Sequence, residues 1–297
     1  PKTLDTANEW YYNPSTKKIR IYSSSLPLNV QVPTVDELIL NSSASFITFD
    51  HIDLKGSNSS LFENRNGKSV IIQNCNFSFA GRDGVYINNA VSANETMTID
   101  GNTFSDISEN AMNFLTWTSN VWVKNNTINN VGMIAGAGYT NQNQGDGIVV
   151  KGANSIIEYN TLTNICHSGI YMNHSDHITI RNNYIASFGM VRYDAGGVYS
   201  WNADTLTVTS RIIDHNIIVN SNQVSSGIGA ASISVFGIYL DGSSTHVTIS
   251  NNTLSTCIIE GLHVLHSGSP TITNNTCYTN GSQCGFWHAS GGGMART

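Results

Sequence analysis

Four carboxylates stand beside glycines or at a loop end in this chain, and their placement is the first sign of chemistry. Asp146 precedes Gly147, Glu260 precedes Gly261, Asp241 precedes Gly242, and Asp194 closes "VRYDAGG". Paired carboxyl groups perform acid–base and nucleophilic work on glycosidic bonds, at about 5–5.5 Å for retention or about 6.5–9.5 Å for inversion. A second set suits elimination instead. Lys151, Arg192, His167, Tyr171 and His174 could remove a proton α to a uronate carboxyl and offset the enolate charge. The bland alternative for each aspartate is a turn former, and for each histidine a surface or capping role.

These residues recur in register with a repeat. "IDGNTF", "VKNNTI", "IEYNTL", "IRNNYI", "IDHNII", "ISNNTL" and "ITNNTC" share an apolar residue, Asn two positions before a second apolar residue, and β-branched neighbours. Their asparagines are Asn102, Asn126, Asn160, Asn183, Asn216, Asn252 and Asn275; Cys75 and Ile52 take that place in two earlier copies. A minimum period of about 23 residues with irregular additions indicates a solenoid. Alternation with period two makes the repeats strands. The expected fold is an all-β, single-stranded parallel β-helix of about nine coils over 31–297, preceded by a short N-terminal β-hairpin in 1–30. The asparagine column is read as an internal ladder of coil-to-coil hydrogen bonds, not as a ligand set.

A second element follows each anchor and opens on glycine or alanine: "GVYI", "AMNF", "GIVV", "GIYM", "GVYS", "GIYL", "GLHV", "GFWH". Strand alternation points its third residue outward. That predicts an outward column of Tyr86, Asn113, Val149, Tyr171, Tyr199, Tyr239, His263 and Trp287. Trp201, Lys151 and Asp241 fall in the next outward position. Aromatic rings offer sugars an apolar face with a polar edge, so Tyr171, Tyr199, Tyr239, Trp201 and His263 are candidate substrate contacts, with His167, His174 and Glu260 beside them. Long insertions precede Gly147, Gly197 and Gly237, predicting loops that wall a cleft on a rigid scaffold. Gly196 and Gly197 read as a tight corner. At about 4.8 Å per coil, Asp146 and Asp194 are expected roughly 9–10 Å apart.

Composition narrows the function classes. Charged residues are only 11% of the 297, apolar residues 40%, and the formal net charge is -6. A nucleic-acid partner would call for a basic patch, and no apolar run approaches the ~20 residues of a membrane span. Five cysteines without CxxC spacing argue against zinc; they read as small core residues, with Cys277–Cys284 a candidate disulfide. No metal or other cofactor is expected, although calcium could bind loop aspartates and backbone oxygens. Because the chain begins at Pro1 and neither end carries a recognisable cap, further domains or a partner are expected to cover the ends of the solenoid.

"DAGGVYSW" resembles the D-G-G-G-[IV]-Y-x-W stretch of the right-handed parallel β-helix superfamily of extracellular polysaccharide-active proteins, the pectate-lyase-like group. "ANEWYYNPSTKKIRIY" is similar to a hairpin that often precedes their coils. Alanine at 195 departs from the three-glycine form, and no catalytic motif of one family matches residue by residue. The resemblance implies a secreted or surface protein that meets a polysaccharide in a groove along the coils, with Asp146, Asp194, Asp241, Lys151 and Arg192 as catalytic candidates. Glycoside hydrolysis is favoured, because only Lys151 and Arg192 could clamp a uronate. The alternatives are a uronate lyase and a non-catalytic adhesin.

Overall fold

The computed structural model describes residues 5, 7, 9–88, 96–115, 118–134, 145–202, 208–222, 234–268, 270–290 and 293–296. It divides into two units, Pro1–Pro33 and Thr34–Thr297. In the first, strands Trp10–Asn13 and Lys18–Ile21 pair antiparallel, with Trp10 opposite Ile21 and Tyr12 opposite Ile19. The Asn13 side chain accepts hydrogen bonds from the backbone N–H groups of Ser15 and Thr16, and Lys17 takes the left-handed conformation at φ 53°. This is how a short polar side chain closes a hairpin turn.

The second unit is a parallel β-helix. Sheet 1 runs through nine strands from Thr48–Asp50 to Thr271–Thr273, and sheet 2 through nine from Asp53–Ser57 to Thr276–Tyr278. Sheet 3 has eleven, from Ile39–Asn41 to Gly293–Arg296. Each coil adds one strand to each sheet in turn. The pairing is parallel throughout, except that Ser282–Ser290 and Gly293–Arg296 fold back antiparallel.

Backbone conformation sets the corners. The residue before each anchor is left-handed in all nine coils: His51, Asn74, Gly101, Asn125, Tyr159, Asn182, His215, Asn251 and Asn274. So is the residue four after it: Gly56, Phe79, Asp106, Asn130, Asn164, Ser187, Asn220, Thr256 and Thr279. Phe46, Ser69, Asn120, Asn154, His177 and His246 repeat the pattern six residues before their anchors. Left-handed backbone is unfavourable for most L-residues, least so for Gly and Asn. Asparagine supplies ten of the named positions, which accounts for part of its abundance.

The anchor asparagines form the expected ladder. The Asn160 backbone N–H and side-chain Nδ2 both donate to Asn183 Oδ1, at 3.0 Å each. Its Nδ2 also lies 3.1 Å from the Val123 carbonyl and 3.0 Å from the Glu158 carbonyl. The same set repeats at Asn126, Asn183, Asn216 and Asn252. At Cys75 the amide of the side chain is missing, and the thiol donates to the Gln73 carbonyl at 3.1 Å instead.

Inside, aliphatic and aromatic columns stack from coil to coil, with Phe77 and Phe104 face to face at 4.6 Å. Cys75, Cys166 and Cys257 are buried, Cys277 is half-buried and Cys284 exposed, all as free thiols. Cys277 and Cys284 adjoin across the last coil as hydrogen-bonded thiols, not as the disulfide the sequence suggested.

Asn160→Ala removes a buried acceptor and donor that close three backbone gaps. It is expected to lower unfolding free energy by about 2–4 kcal/mol in urea titrations. Asn275→Ala, at the half-exposed end of the ladder, is expected to cost less than half as much.

Candidate functional site

Glycines align on sheet 3 because there is no room for a side chain. A Cβ on Gly147 would lie 2.5 Å from the Gly169 carbonyl oxygen and 2.6 Å from Leu162, and one on Gly169 would lie 2.6 Å from the Gly197 carbonyl oxygen. Gly197 and Gly237 face the same obstruction from the following coil. The glycine pair at 196–197 is thus a packing requirement; neither residue is left-handed, as the expected tight corner would have needed.

The outward column is Glu63, Tyr86, Asn113, Val149, Tyr171, Tyr199, Tyr239 and His263. It closes on Gly285, with Trp287 opposite Leu265 instead. The predicted place for Trp287 was one outward step off, because the last coil reaches sheet 3 two residues earlier than "GFWH" implies. Tyr171, Tyr199 and Tyr239 stack at 4.9 and 4.8 Å with interplanar angles of 18° and 13°. They are buried in an outer cluster with Val149 and Phe236. Stacking occupies both faces of the Tyr199 ring, so the three tyrosines present hydroxyl edges, where the sequence had suggested open sugar platforms.

Those hydroxyls meet carboxylates. Tyr199 donates to Asp241 Oδ2 at 2.8 Å, and the Tyr239 hydroxyl lies against both Asp241 and Asp194. Asp194 is held in the left-handed region at φ 62°. Its carboxyl is pushed above the usual range, first by the protein around it and then by the Asp241 charge. Burial and the same two acids push the phenols of Tyr199 and Tyr239 up. Tyr171 feels Asp146, Asp241 and Asp194 together.

A histidine separates Asp146 from Asp194. Asp146 is fully buried, and its Oδ1 lies 2.7 Å from His167 Nδ1 and accepts the Ser168 N–H at 2.8 Å. His167 stands between the two aspartates, with its Nε2 2.9 Å from the Asp194 carbonyl oxygen. On the other side of the tyrosines, Glu260 Oε2 lies 2.6 Å from His263 Nδ1, and the His263 ring stacks on Phe236 at 4.0 Å. Lys151 is half-buried, and desolvation lowers its ammonium pKa against the pull of Asp146. His174 packs edge-on against Trp201 at 5.2 Å. Its pKa is lowered by burial, Lys151 and Arg211. Arg192 is half-buried in the loop that leads to Asp194.

The site therefore gathers Asp194, Asp241, Tyr199, Tyr239, His167 and Asp146. Lys151, His174 and Trp201 lie along one side, and Glu260 and His263 further along the column. Of the three predicted wall loops, only the one before Gly197 is described throughout; 135–144 and 223–233 lie outside the described residues. In the chain order, added residues also follow strands of sheet 3, between Ile87 and Met97 and between Trp201 and Arg211, so insertions both precede and follow its strands. Among the described residues no cluster of His, Cys, Asp and Glu is placed to hold a metal.

Sequence reasoning missed a second acidic group on the same face. Asp83 is fully buried, accepts from Asn110 Nδ2 at 2.9 Å and pairs with Arg82 Nε at 3.1 Å. Arg82 also lies 3.5 Å from Glu109 and packs over the Tyr86 ring. Asp83 precedes Gly84 as Asp146 precedes Gly147, and that shared position was the available signal.

Comparison with known proteins fixes the family. The family model described as "Right handed beta helix region" matches residues 138–295, more than half of the chain. The chain belongs to that family. No curated protein matches this right-handed β-helix protein. A glycoside hydrolase of solved structure is similar at 14% identity and TM-score 0.56, over 95% of this chain and 56% of that one. PfbA, a surface adhesin of Streptococcus pneumoniae, is similar at 15% identity and TM-score 0.49, over 88% of this chain and 74% of the adhesin. The β-helix chain thus spans little more than half the length of the hydrolase, and at these identities the likeness is one of fold.

The Asp83 carboxyl is pushed up to about 7, chiefly by burial and then by Glu109. A folded-state value above the unfolded one means that stability is greatest below about pH 4 and is lost as pH rises towards 7. Asp83→Asn removes that loss. It is expected to stabilise the protein at about pH 8, by up to about 4 kcal/mol, and to give no gain at about pH 4. Denaturant midpoints at the two pH values check this.

Proposed function

We propose that this protein is an extracellular or cell-surface glycoside hydrolase that cleaves a polysaccharide lying along the outer face of sheet 3. One observation carries the reading: Asp194 and Asp241 meet around the Tyr199 and Tyr239 hydroxyls, where burial and the Asp241 charge raise the Asp194 carboxyl above its ordinary range. Two carboxyl groups in different environments divide the roles of acid and base. Asp194, at the exposed end of its loop, donates a proton to the leaving oxygen. Asp241, fixed by the Tyr199 hydroxyl, acts as nucleophile or as base towards water. In a chain with only 11% charged residues, an ionisable group on one face is a costly choice, and seven acids share this one.

The same charge pattern favours a neutral glycan over a uronate. Leaving aside Asp83 and Asp194, whose carboxyls are raised, Glu63, Glu109, Asp146, Asp241 and Glu260 lie along or beside the sheet, against Arg65, Arg82, Lys151 and Arg192. A polyanion would meet like charge there. Protein surfaces that only bind glycan do not call for two carboxyl groups gathered on shared tyrosine hydroxyls, so the adhesin reading ranks below both.

The test is a panel of neutral and uronate polysaccharides, with reducing ends and unsaturated-uronate absorbance followed together. New reducing ends without absorbance are expected, on neutral glycans. Asp194→Asn and Asp241→Asn are each expected to lower kcat by at least about 10³-fold, and Tyr199→Phe by about tenfold. Absorbance together with reducing ends would replace hydrolysis by elimination. Binding without either product would make the face a docking surface.

A further inference from the structure

We propose that His167 is a positioning residue: it holds the Asp194 main chain so that the carboxyl reaches the tyrosine–Asp241 group. The inference rests on the reading of Asp194 as the acid, and it names what sets that acid in place.

The loop before Gly197 returns along the previous coil. Gly189 N–H donates to the His167 carbonyl at 2.8 Å, Met190 N–H to Ile165 at 3.1 Å, and Val191 and Arg192 N–H to Cys166 at 3.0 Å each. Ala195 N–H then joins sheet 3 through the Ser234 carbonyl at 2.9 Å. Between these fixed points the chain passes through Asp194 in the left-handed region, a conformation that costs energy for a residue with a side chain. The His167 ring meets it there, with Nε2 2.9 Å from the Asp194 carbonyl oxygen. The ring is itself fixed from behind: Nδ1 lies 2.7 Å from Asp146 Oδ1, and that oxygen also accepts the Ser168 N–H. The Asp146 backbone N–H in turn donates to Asn110 Oδ1 at 3.1 Å. Tyr199 closes the open side of the imidazole edge-on at 6.1 Å. A chain of contacts thus runs from a fully buried carboxylate, through one ring, to the backbone of an exposed one.

The two ring nitrogens have separable jobs, and two amide substitutions imitate them one at a time. A glutamine amide reaches to about where Nε2 lies, an asparagine amide to about where Nδ1 lies. His167→Gln keeps the bond to the Asp194 carbonyl and gives up Asp146; His167→Asn keeps Asp146 and gives up Asp194. If the ring served only to satisfy the buried Asp146, asparagine would be the better replacement.

The experiment measures hydrogen exchange of the 190–196 segment in the whole protein, for wild type and both variants, alongside kcat and KM on whichever glycan the wild type cleaves. Exchange is expected to rise about tenfold or more in His167→Asn and to stay within about threefold of wild type in His167→Gln. In the same pair kcat is expected to fall about 10²-fold for Asn and recover most of that for Gln, with KM changed less than about threefold. Equal exchange in both variants, or a more protected loop in His167→Asn, would overturn the proposal. Full turnover by Asp194→Asn would instead sink the functional reading, while the exchange comparison would still report whether His167 holds the loop.

Discussion

The fold depends on one constraint: each coil must satisfy its backbone on the next at corners where the chain turns too sharply for strand pairing. The anchor asparagine solves this with a single side chain. Its amide reaches the carbonyls of its own coil and the one before, and its oxygen accepts from the neighbouring coil's backbone and side chain. Buried polar groups are tolerated when fully satisfied, and here the satisfaction passes from coil to coil. The left-handed residue beside each anchor aims the amide into the ladder. Between sheets 1 and 2 every coil has two linking residues, so this corner admits no insertion, and all variation in length falls on the edges of sheet 3.

That division explains where chemistry could arise. Sheet 3 has a glycine column forced by close approach of successive coils, which brings neighbouring strands' outward side chains into a tight file. Aromatic rings in such a file stack on each other, and the tyrosines bury their faces and present hydroxyls. Carboxyl groups at the edges of the file then find donors already in place. The outer cluster is a second, smaller apolar core built on the back of the first, and it gives the polar groups around it fixed positions and a low local dielectric.

The architecture was legible in the sequence because it repeats. A spacing of about 23 residues, the period-two alternation and the asparagine anchors left few alternatives to a β-helix, and the ladder follows from the anchors themselves. The site was legible only as a set of residue types. Asp146 and Asp194 lie where the columns put them, yet coil arithmetic measures only distance along the axis, and it could not tell that His167 would seal Asp146 from the face. The reach of Tyr239 to two carboxyls depends on side-chain direction across strands, and Trp287 slipped one outward position because the last coil meets sheet 3 two residues early. Asp83 carried a local signal, an acid before a glycine, but the added chain near it follows its strand instead of preceding it.

Because the corner beside each anchor has a fixed length, positions along the axis come only in whole steps of about 4.8 Å. A functional group can be moved from coil to coil, but not by half a coil. Finer spacing must come from rotamers and from loops at the edges of sheet 3, as with Asp194, whose carboxyl meets that of Asp241 from a loop instead of from a strand. The scaffold is in this sense a graduated rail: it fixes coarse positions rigidly and leaves the last ångström to the few residues that leave the rail.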